Sequence, residues 1–517
     1  MYLIFTRLFC ALFSLSVLNA AKILGIFPAP SISHQIIFQP IWKELSLRGH
    51  QVTVITPNPL NDSMLTNLTE IDVSFSYELM ANHDVIKNLY VSTSIFGKLW
   101  TLHEIGLVVN SYQLECDNVR YLFDNKDINF DLVIVQALYT CNEIMLGFGS
   151  KFKSPVIAIS SLGVFLHAHD AVGNPTHPVI SPDIMLNFSG ELSFLDRVKS
   201  FLFNFWYRFL YYYYALPKAD KIARKYFGED MPYLGDIEKN ISLMMLNVNP
   251  IIHTVRPNVP NVIEINQMHI RDKKPLPKDL KDYLDASPRG VVYFSLGSNV
   301  KSANLSSNIR QEIIGALGEL PYNVLWKWES DYLPDRPKNV MTRKWLPQQD
   351  ILGHPNVKVF VTQGGLQSIE EAITNEVPMV GMPFITDQPS NIKKIEDLGM
   401  GLSVDYKTLK KEQLKKAIME VAENTKYKEN VQKSKAILVD QPMKGVEKAV
   451  WWIEYVIRHK GAKHLRSPAA DMSFFEYFMV DVVLFLGGCV VLALYLVIKI
   501  ASLTKNVTKS TKKVKKH

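Results

Sequence analysis

The chain has 517 residues, 47% of them hydrophobic and 21% charged, with a formal net charge of +7. A chain of this length is too long for one hydrophobic core. Nor does the charge signal nucleic acid. Lys499, Lys505, Lys509, Lys512, Lys513, Lys515 and Lys516 at the extreme C-terminus account for the whole excess, and the rest of the chain balances.

Arg7, the apolar run Leu8–Leu18 and the small residues Asn19-Ala20-Ala21 read as a secretory signal peptide over residues 1–21, cleaved near Ala20 or Ala21. A strand follows at Lys22–Phe27, then a loop, a helix from about Ile36 to Arg48 ended by Gly49-His50, and a strand at Gln51–Thr56. This is a βαβ opening, and Asp131–Val135 and Val156–Ser160 read as later strands of the same sheet. The aromatic segment Leu195–Ala215, with Arg197, Lys199 and Arg208 interspersed, is open to three readings: a helix on a membrane surface, core packing, or a wall of a ligand pocket. Residues 256–289 are proline-rich and polar, as a linker would be. A second βαβ series begins at Val291–Ser295 and continues through Asn323–Trp328, Val357–Val361 and Pro378–Met382. About 450 residues between the two apolar ends are too many for one core, so α/β domains are expected at 22–255 and 290–460.

Near the C-terminus, residues 478–498 are apolar apart from Asp481, enough to cross a hydrocarbon core of roughly 30 Å. The lysine-rich tail, 499–517, belongs in the cytosol by the positive-inside rule, which places everything before the span in the lumen. Lys513 and Lys515 resemble a dilysine endoplasmic-reticulum retrieval signal. Cys10 falls in the leader and Cys489 in the span; Cys116 and Cys141 permit one lumenal disulfide but no disulfide scaffold. Glycosylation sequons begin at Asn61, Asn67, Asn187, Asn240 and Asn304, and at Asn506 in the cytosolic tail.

The richest stretch runs from Phe360 to Asn391. A buried strand ends at Thr362-Gln363-Gly364-Gly365, a helix follows from Leu366 to about Asn375, and Val377–Pro383 is a second strand closed by a polar loop. The glycines let backbone approach a ligand, and the helix start offers unpaired N–H groups and a positive dipole end, which suits a phosphate. Gln367 and Ser368 in the first turn can add hydrogen bonds, and Glu371 lies one turn on.

The same string resembles the signature of the UDP-glycosyltransferase family. It has the aromatic-hydrophobic-Thr-Gln-Gly-Gly start, the acid Glu371, the prolines Pro378 and Pro383, and a closing Asp387-Gln388. Trp345-Leu346-Pro347-Gln348 is similar to the family's Trp-x-Pro-Gln loop, and Phe294-Ser295-Leu296-Gly297-Ser298 to its first C-terminal strand and turn. The resemblance implies a GT-B fold, two facing Rossmann-like domains, with one C-terminal transmembrane helix, and ligands in the cleft at the carboxyl ends of the strands. It also implies roles. Trp345 and Gln348 would hold uracil, with Lys327 nearby. Glu371 would accept from the ribose hydroxyls. Ser298, Thr362, Gln363, Gly364, Gly365, Gln367 and Ser368 would hold the phosphates, and Asp387 and Gln388 the hexose.

His34, in the loop after the first strand, is the candidate general base; an imidazole with an ordinary pKa of roughly 6.5 suits proton abstraction. His50 and His354 read as structural or surface residues. Two departures from the family stand out. Gln136 occupies the place of the aspartate that orients the histidine, so Glu143 is the expected carboxylate partner, while Asp131 begins its strand and points away. Gln363 stands where many members have histidine, similar to insect and insect-virus members.

The resemblance therefore implies an inverting, metal-independent hexosyltransferase of the endoplasmic-reticulum membrane. UDP-glucose is the favoured donor and UDP-glucuronate the alternative, and the acceptor is a small lipophilic hydroxyl compound: a phenolic, xenobiotic or steroid. No cofactor is expected, since the UDP-sugar is a co-substrate. Neither a metal site nor a nucleic-acid partner is expected, and a homo-oligomer is left open. The alternative is an impaired relative that binds UDP-sugar or a lipophile without turnover, a reading that Gln136 and Gln363 keep open.

Overall fold

A computed structural model describes residues 20–82, 94–136, 142–186, 188, 190–385 and 387–514. The expected leader, the sequon asparagine Asn187 and Cys141 lie outside the described residues, apart from Ala20 and Ala21 of the leader.

Short apolar runs such as Val133–Val135 and Val291–Phe294 are buried on both faces, as strands of a parallel sheet covered by helices must be. The first lobe holds β1 (Lys22–Ile26), β2 (Gln51–Thr56), β3 (Leu68–Asp72), β4 (Leu132–Gln136), β5 (Val156–Ser160), β6 (Leu243–Asn247) and β7 (Val262–Ile265). They form one parallel sheet in the order β3-β2-β1-β4-β5-β6-β7. The second lobe holds β8 (Val291–Ser295), β9 (Asn323–Lys327), β10 (Val340–Arg343), β11 (Val357–Thr362), β12 (Met379–Gly381) and β13 (Gly401–Ser403), ordered β10-β9-β8-β11-β12-β13 and again parallel.

Both sheets are doubly wound, and in both the strand order reverses beside the first strand: between β1 and β4, and between β8 and β11. Loops leaving these strands open a crevice at the carboxyl edge, where such sheets bind ligands. His34 follows β1, Gln136 ends β4, Gly297 and Ser298 follow β8, and Gln363–Gly365 follow β11.

The lobe boundaries differ from the sequence expectation. Within the stretch read as a linker, β7 completes the first sheet, and the helix Lys278–Asp285 buries Leu280 and Leu284 in the second lobe. The helix Gly445–His459 returns to the first lobe, seating Val450, Ile453 and Val456 in a core with Trp42 and Leu45. Burying each of these three side chains contributes about 1.5–3 kcal/mol. Arg48 Nη1 lies 3.3 Å from Glu454 of that helix, and buried His50 stands 3.5 Å from the same carboxylate, a structural role for His50.

The aromatic segment forms the helix Phe194–Leu210, capped by Ser193 and Asp196, and a π-turn at Tyr211–Ala215. One face (Phe203, Tyr207, Leu210) is core, while Phe201, Phe205, Phe209 and Tyr213 on the other are exposed. Residues 467–517 form a separate unit whose long helix, Val480–Val514, contains the apolar stretch Val480–Asn506. By length and composition that stretch can cross a membrane, and it fits a membrane anchor.

Candidate active site

His34 sits on a one-turn helix, Ile32–Gln35, ahead of the Gln39–Leu47 helix rather than in an open loop, and buried amides satisfy the backbone of residues 27–30 that lead into it. Gln35 Nε2 donates to the carbonyls of Phe27 (3.0 Å) and Ala29 (2.7 Å), and its Oε1 accepts from Thr56 Oγ1 at 2.9 Å. Gln113 Nε2 donates to the Pro28 carbonyl at 2.8 Å, and Gln136 Oε1 accepts from Ala29 N at 3.4 Å. Gln136 thus supports the backbone that leads from β1 to His34. The Nδ1 atom of His34 hydrogen-bonds the Ser161 hydroxyl. Burial pushes the imidazole down to about 4, so it is neutral at pH 7 and keeps a lone pair for a proton.

Glu143 is not placed as expected. It lies in the 3-10 turn Asn142–Leu146, which aims it into the core, and its Oε1 is 3.1 Å from His167 Nε2. His167 Nδ1 in turn meets Tyr207 OH at 2.7 Å, and its ring stacks on Tyr211 at 3.9 Å. Burial raises the Glu143 pKa, but the His167 hydrogen bond and the charges of His167 and His103 outweigh it and hold the carboxyl below its usual range. Glu143 serves a buried network around His167. Asp131 does point away: its Oδ2 accepts from Lys22 N at 2.8 Å, at the amino end of the sheet.

In the second lobe Gly297 and Gly364 have φ of +76° and +87°, where only glycine is unstrained. A Cβ on Gly297 would lie 2.4 Å from Gln363 Nε2, so the turn after β8 rests on the side chain after β11. Gly364 N donates to Thr362 Oγ1 at 3.2 Å, and Asn391 Nδ2 bridges the Gly364 carbonyl (3.0 Å) and Asp387 Oδ2 (2.7 Å). The helix Leu366–Thr374 begins after Gly365 with no side-chain cap on its first turn.

Lys327 Nζ donates to the Gly297 carbonyl at 3.0 Å and to Glu329 at 2.8 Å, and sits 5.8 Å from the exposed Trp345 ring. Tyr293 OH donates to Gln348 Oε1 at 3.1 Å; Gln348 Nε2 donates to Ser368 Oγ (2.9 Å) and Glu371 Oε2 (2.6 Å). Burial pushes Glu371 up to about 7, against the hydrogen bonds from Gln348 and Gln349. Gln388 is buried, its Oε1 accepting from the backbone N–H groups of Phe384 (2.9 Å) and Ile385 (3.0 Å), so this oxygen shapes the loop beside half-buried Asp387.

Several neighbours escaped sequence reading. Glu370 is fully buried and pushed up to about 8 by that burial; its Oε1 accepts from Asn249 Nδ2 at 3.2 Å. His269, held down to about 4 by burial, lies between Glu370 (3.8 Å) and Glu371 (3.5 Å). The doubled acid on an amphipathic helix was the available signal for Glu370.

Contacts across the crevice join the two halves. Ser31 Oγ lies 3.2 Å from Asn299 Oδ1, Asn299 Nδ2 lies 3.5 Å from Ser33 Oγ, and Gln367 Nε2 donates to the Ser161 carbonyl at 3.4 Å. Ser298, beside Asn299, is half-buried at this junction. A cavity of about 280 Å³ lies between Leu162, Val164 and Ile252 and the polar residues Asp183, Arg256 and Asp387.

Two parallel doubly wound lobes, facing each other through the loops after their central strands, define the GT-B fold. Two solved structures share the fold. The glycosyltransferase of kitacinnamycin superposes with a TM-score of 0.54 at 19% identity, covering 84% of this chain and 98% of that one. The spinosyn forosaminyltransferase SpnP gives 0.57 at 15%, covering 85% and 100%.

The chain belongs to the UDP-glycosyltransferase family: the model described as "UDP-glucoronosyl and UDP-glucosyl transferase" matches residues 21–517. It is 34% identical to UDP-glycosyltransferase UGT5 of Dactylopius coccus over 94% of this chain and 93% of the relative. Identity is 35% to the ecdysteroid UDP-glucosyltransferase of Spodoptera littoralis nuclear polyhedrosis virus (90% and 93% covered) and 32% to human UDP-glucuronosyltransferase 2B7 (91% of each). It is accordingly an enzyme that transfers a sugar from a UDP-sugar to an acceptor.

Proposed function

We propose that this enzyme moves glucose from UDP-glucose to a hydroxyl of a small lipophilic compound, with inversion and without a metal. The observation that carries this reading is that the segment bearing His34 meets the turn after β8 across the crevice, Ser31 Oγ lying 3.2 Å from Asn299 Oδ1 beside Ser298. The acceptor hydroxyl gives its proton to the neutral His34 imidazole. Its oxygen bonds to the anomeric carbon while the bond to the β-phosphate oxygen breaks, its electron pair leaving with UDP. The uncapped start of the 366–374 helix, Ser298 and Lys327 meet the charge developing there. Glucose is favoured over glucuronate by the glucosyltransferase names of Dactylopius coccus and virus relatives. The cavity beside Asp387 pairs an apolar wall at Leu162, Val164 and Ile252 with polar groups such as Asp183 and Arg256, which suits an acceptor with an apolar body and hydroxyls, such as a phenolic, xenobiotic or steroid.

The reading places the catalytic part in the lumen of the endoplasmic reticulum behind the C-terminal anchor. Its test is His34→Ala. Turnover of UDP-glucose with a phenol panel should fall by roughly two to four orders of magnitude while UDP affinity is kept. A variant with half the parent's turnover, or a parent that binds donor and forms no product, overturns it.

A further inference from the structure

His34 and its donor-lobe neighbours meet at one buried residue outside the family signature. Ser161 follows β5 and is 1% exposed. Its hydroxyl pairs with His34 Nδ1. Its carbonyl accepts from Asn247 Nδ2 at 3.0 Å and, across the crevice, from Gln367 Nε2 at 3.4 Å. Gln367 belongs to the first turn of the helix whose uncapped start the proposed function assigns to the diphosphate. Meanwhile Gln136 supports the backbone of Ala29 and Glu143 is engaged by His167.

We propose that Ser161 is the positioning residue of the base: its Oγ accepts the Nδ1–H of His34, fixing the tautomer whose lone pair is on Nε2, while its carbonyl ties that arrangement to Gln367. This rests on the reading of His34 as general base. In the reaction the acceptor proton moves to Nε2, the imidazolium keeps its Nδ1–H on Ser161, and the proton on Nε2 passes to solvent after UDP leaves. A hydroxyl fixes orientation as a carboxylate would, but adds no negative charge beside the ring. The donor helix and the base are thereby positioned by one backbone unit, which no carboxylate at residue 136 or 143 would achieve.

The experiment uses the full-length, membrane-held enzyme with UDP-glucose and a phenol that the parent converts. Four proteins are compared: parent, Ser161→Ala, His34→Ala and the double variant. Ser161→Ala should lower kcat roughly 10- to 100-fold through loss of the productive tautomer. The KM for UDP-glucose should stay within about twofold and thermal unfolding near the parent's. Ser161→Ala should have no further effect when His34 is already alanine, because it acts through that ring. Ser161→Ala with more than half the parent kcat overturns the proposal. So does an equal loss in both backgrounds, or a change confined to KM. The two readings fail separately: an active His34→Ala defeats the base itself, whereas an inactive His34→Ala beside an unimpaired Ser161→Ala defeats only the positioning role.

Discussion

Glu143 Oε1 stands 3.1 Å from Nε2 of His167, with both side chains buried. The pair is continued by Tyr207 on the other ring nitrogen, and Tyr211 stacks on the ring and donates to Glu238. A buried carboxylate held this way contributes to the stability of the first lobe and is remote in role from proton transfer. Glu143→Gln should therefore destabilise by about 1–3 kcal/mol, the cost of weakening a buried charged hydrogen bond. Its kcat with UDP-glucose should remain within about threefold of the parent. Denaturant melts and initial rates check both parts, and a tenfold loss of kcat with an unchanged melt would return Glu143 to the reaction.

On the proposed function, in which Glu371 accepts from the donor's ribose hydroxyls, the donor site has its own pH dependence. Burial raises this carboxyl to about 7, so it gains a proton as pH falls from 8 to 6 and accepts less well from donor hydroxyls. His34, held to about 4, stays neutral through the same range. The KM for UDP-glucose should rise several-fold between pH 8 and pH 6 while kcat at saturating donor stays level. In Glu371→Gln the KM should be higher throughout and flat with pH. A kcat that falls along with rising KM would assign the titration to the base instead.

Much of this architecture was legible in the chain. Val156–Ser160 and Val291–Ser295 are read at their observed bounds, since buried parallel strands leave continuous apolar runs between polar turns. The glycines at 297 and 364 stand where positive φ and close packing require them. Edge strands were not legible: Val340–Arg343 and Gly401–Ser403 are short and partly polar, with no period to mark them. The return of the 445–459 helix to the first lobe was hidden because its apolar face would fit either core. The orientation of Glu143 depends on a 3-10 turn that a helical reading misaligns. Ser161 is one of two adjacent serines, and nothing local marks which of them meets a histidine ring from another strand's loop.

Topology offers a prediction independent of chemistry. Asn61, Asn67, Asn240 and Asn304 are all exposed, as sequons must be to carry glycan. With the catalytic part in the lumen, endoglycosidase should increase the mobility of the full-length protein by at least one glycan. Protease added to sealed microsomes should remove only the lysine-rich tail. Complete digestion in sealed vesicles, with no glycan shift, would reverse the orientation.

Glu370 gives the contact between the lobes a pH-dependent stability. It is fully buried, receives Asn249 Nδ2 from the first lobe, and is raised from its ordinary 4.5 to about 8 by that burial. Between those values the folded protein holds a proton that the unfolded chain has released. The stability linked to this proton is complete below about pH 4.5 and is lost as pH rises through about 8. Glutamine mimics the protonated form and cannot ionise. Glu370→Gln should thus unfold close to the parent at pH 5 and at a higher temperature than the parent at pH 8.5, with the two curves diverging between. Thermal melts across that range decide it. A variant less stable than the parent by the same amount at every pH would show that Glu370 serves as an ordinary hydrogen-bond partner of Asn249, and that the ionisation of the buried carboxyl is not resisted by its surroundings.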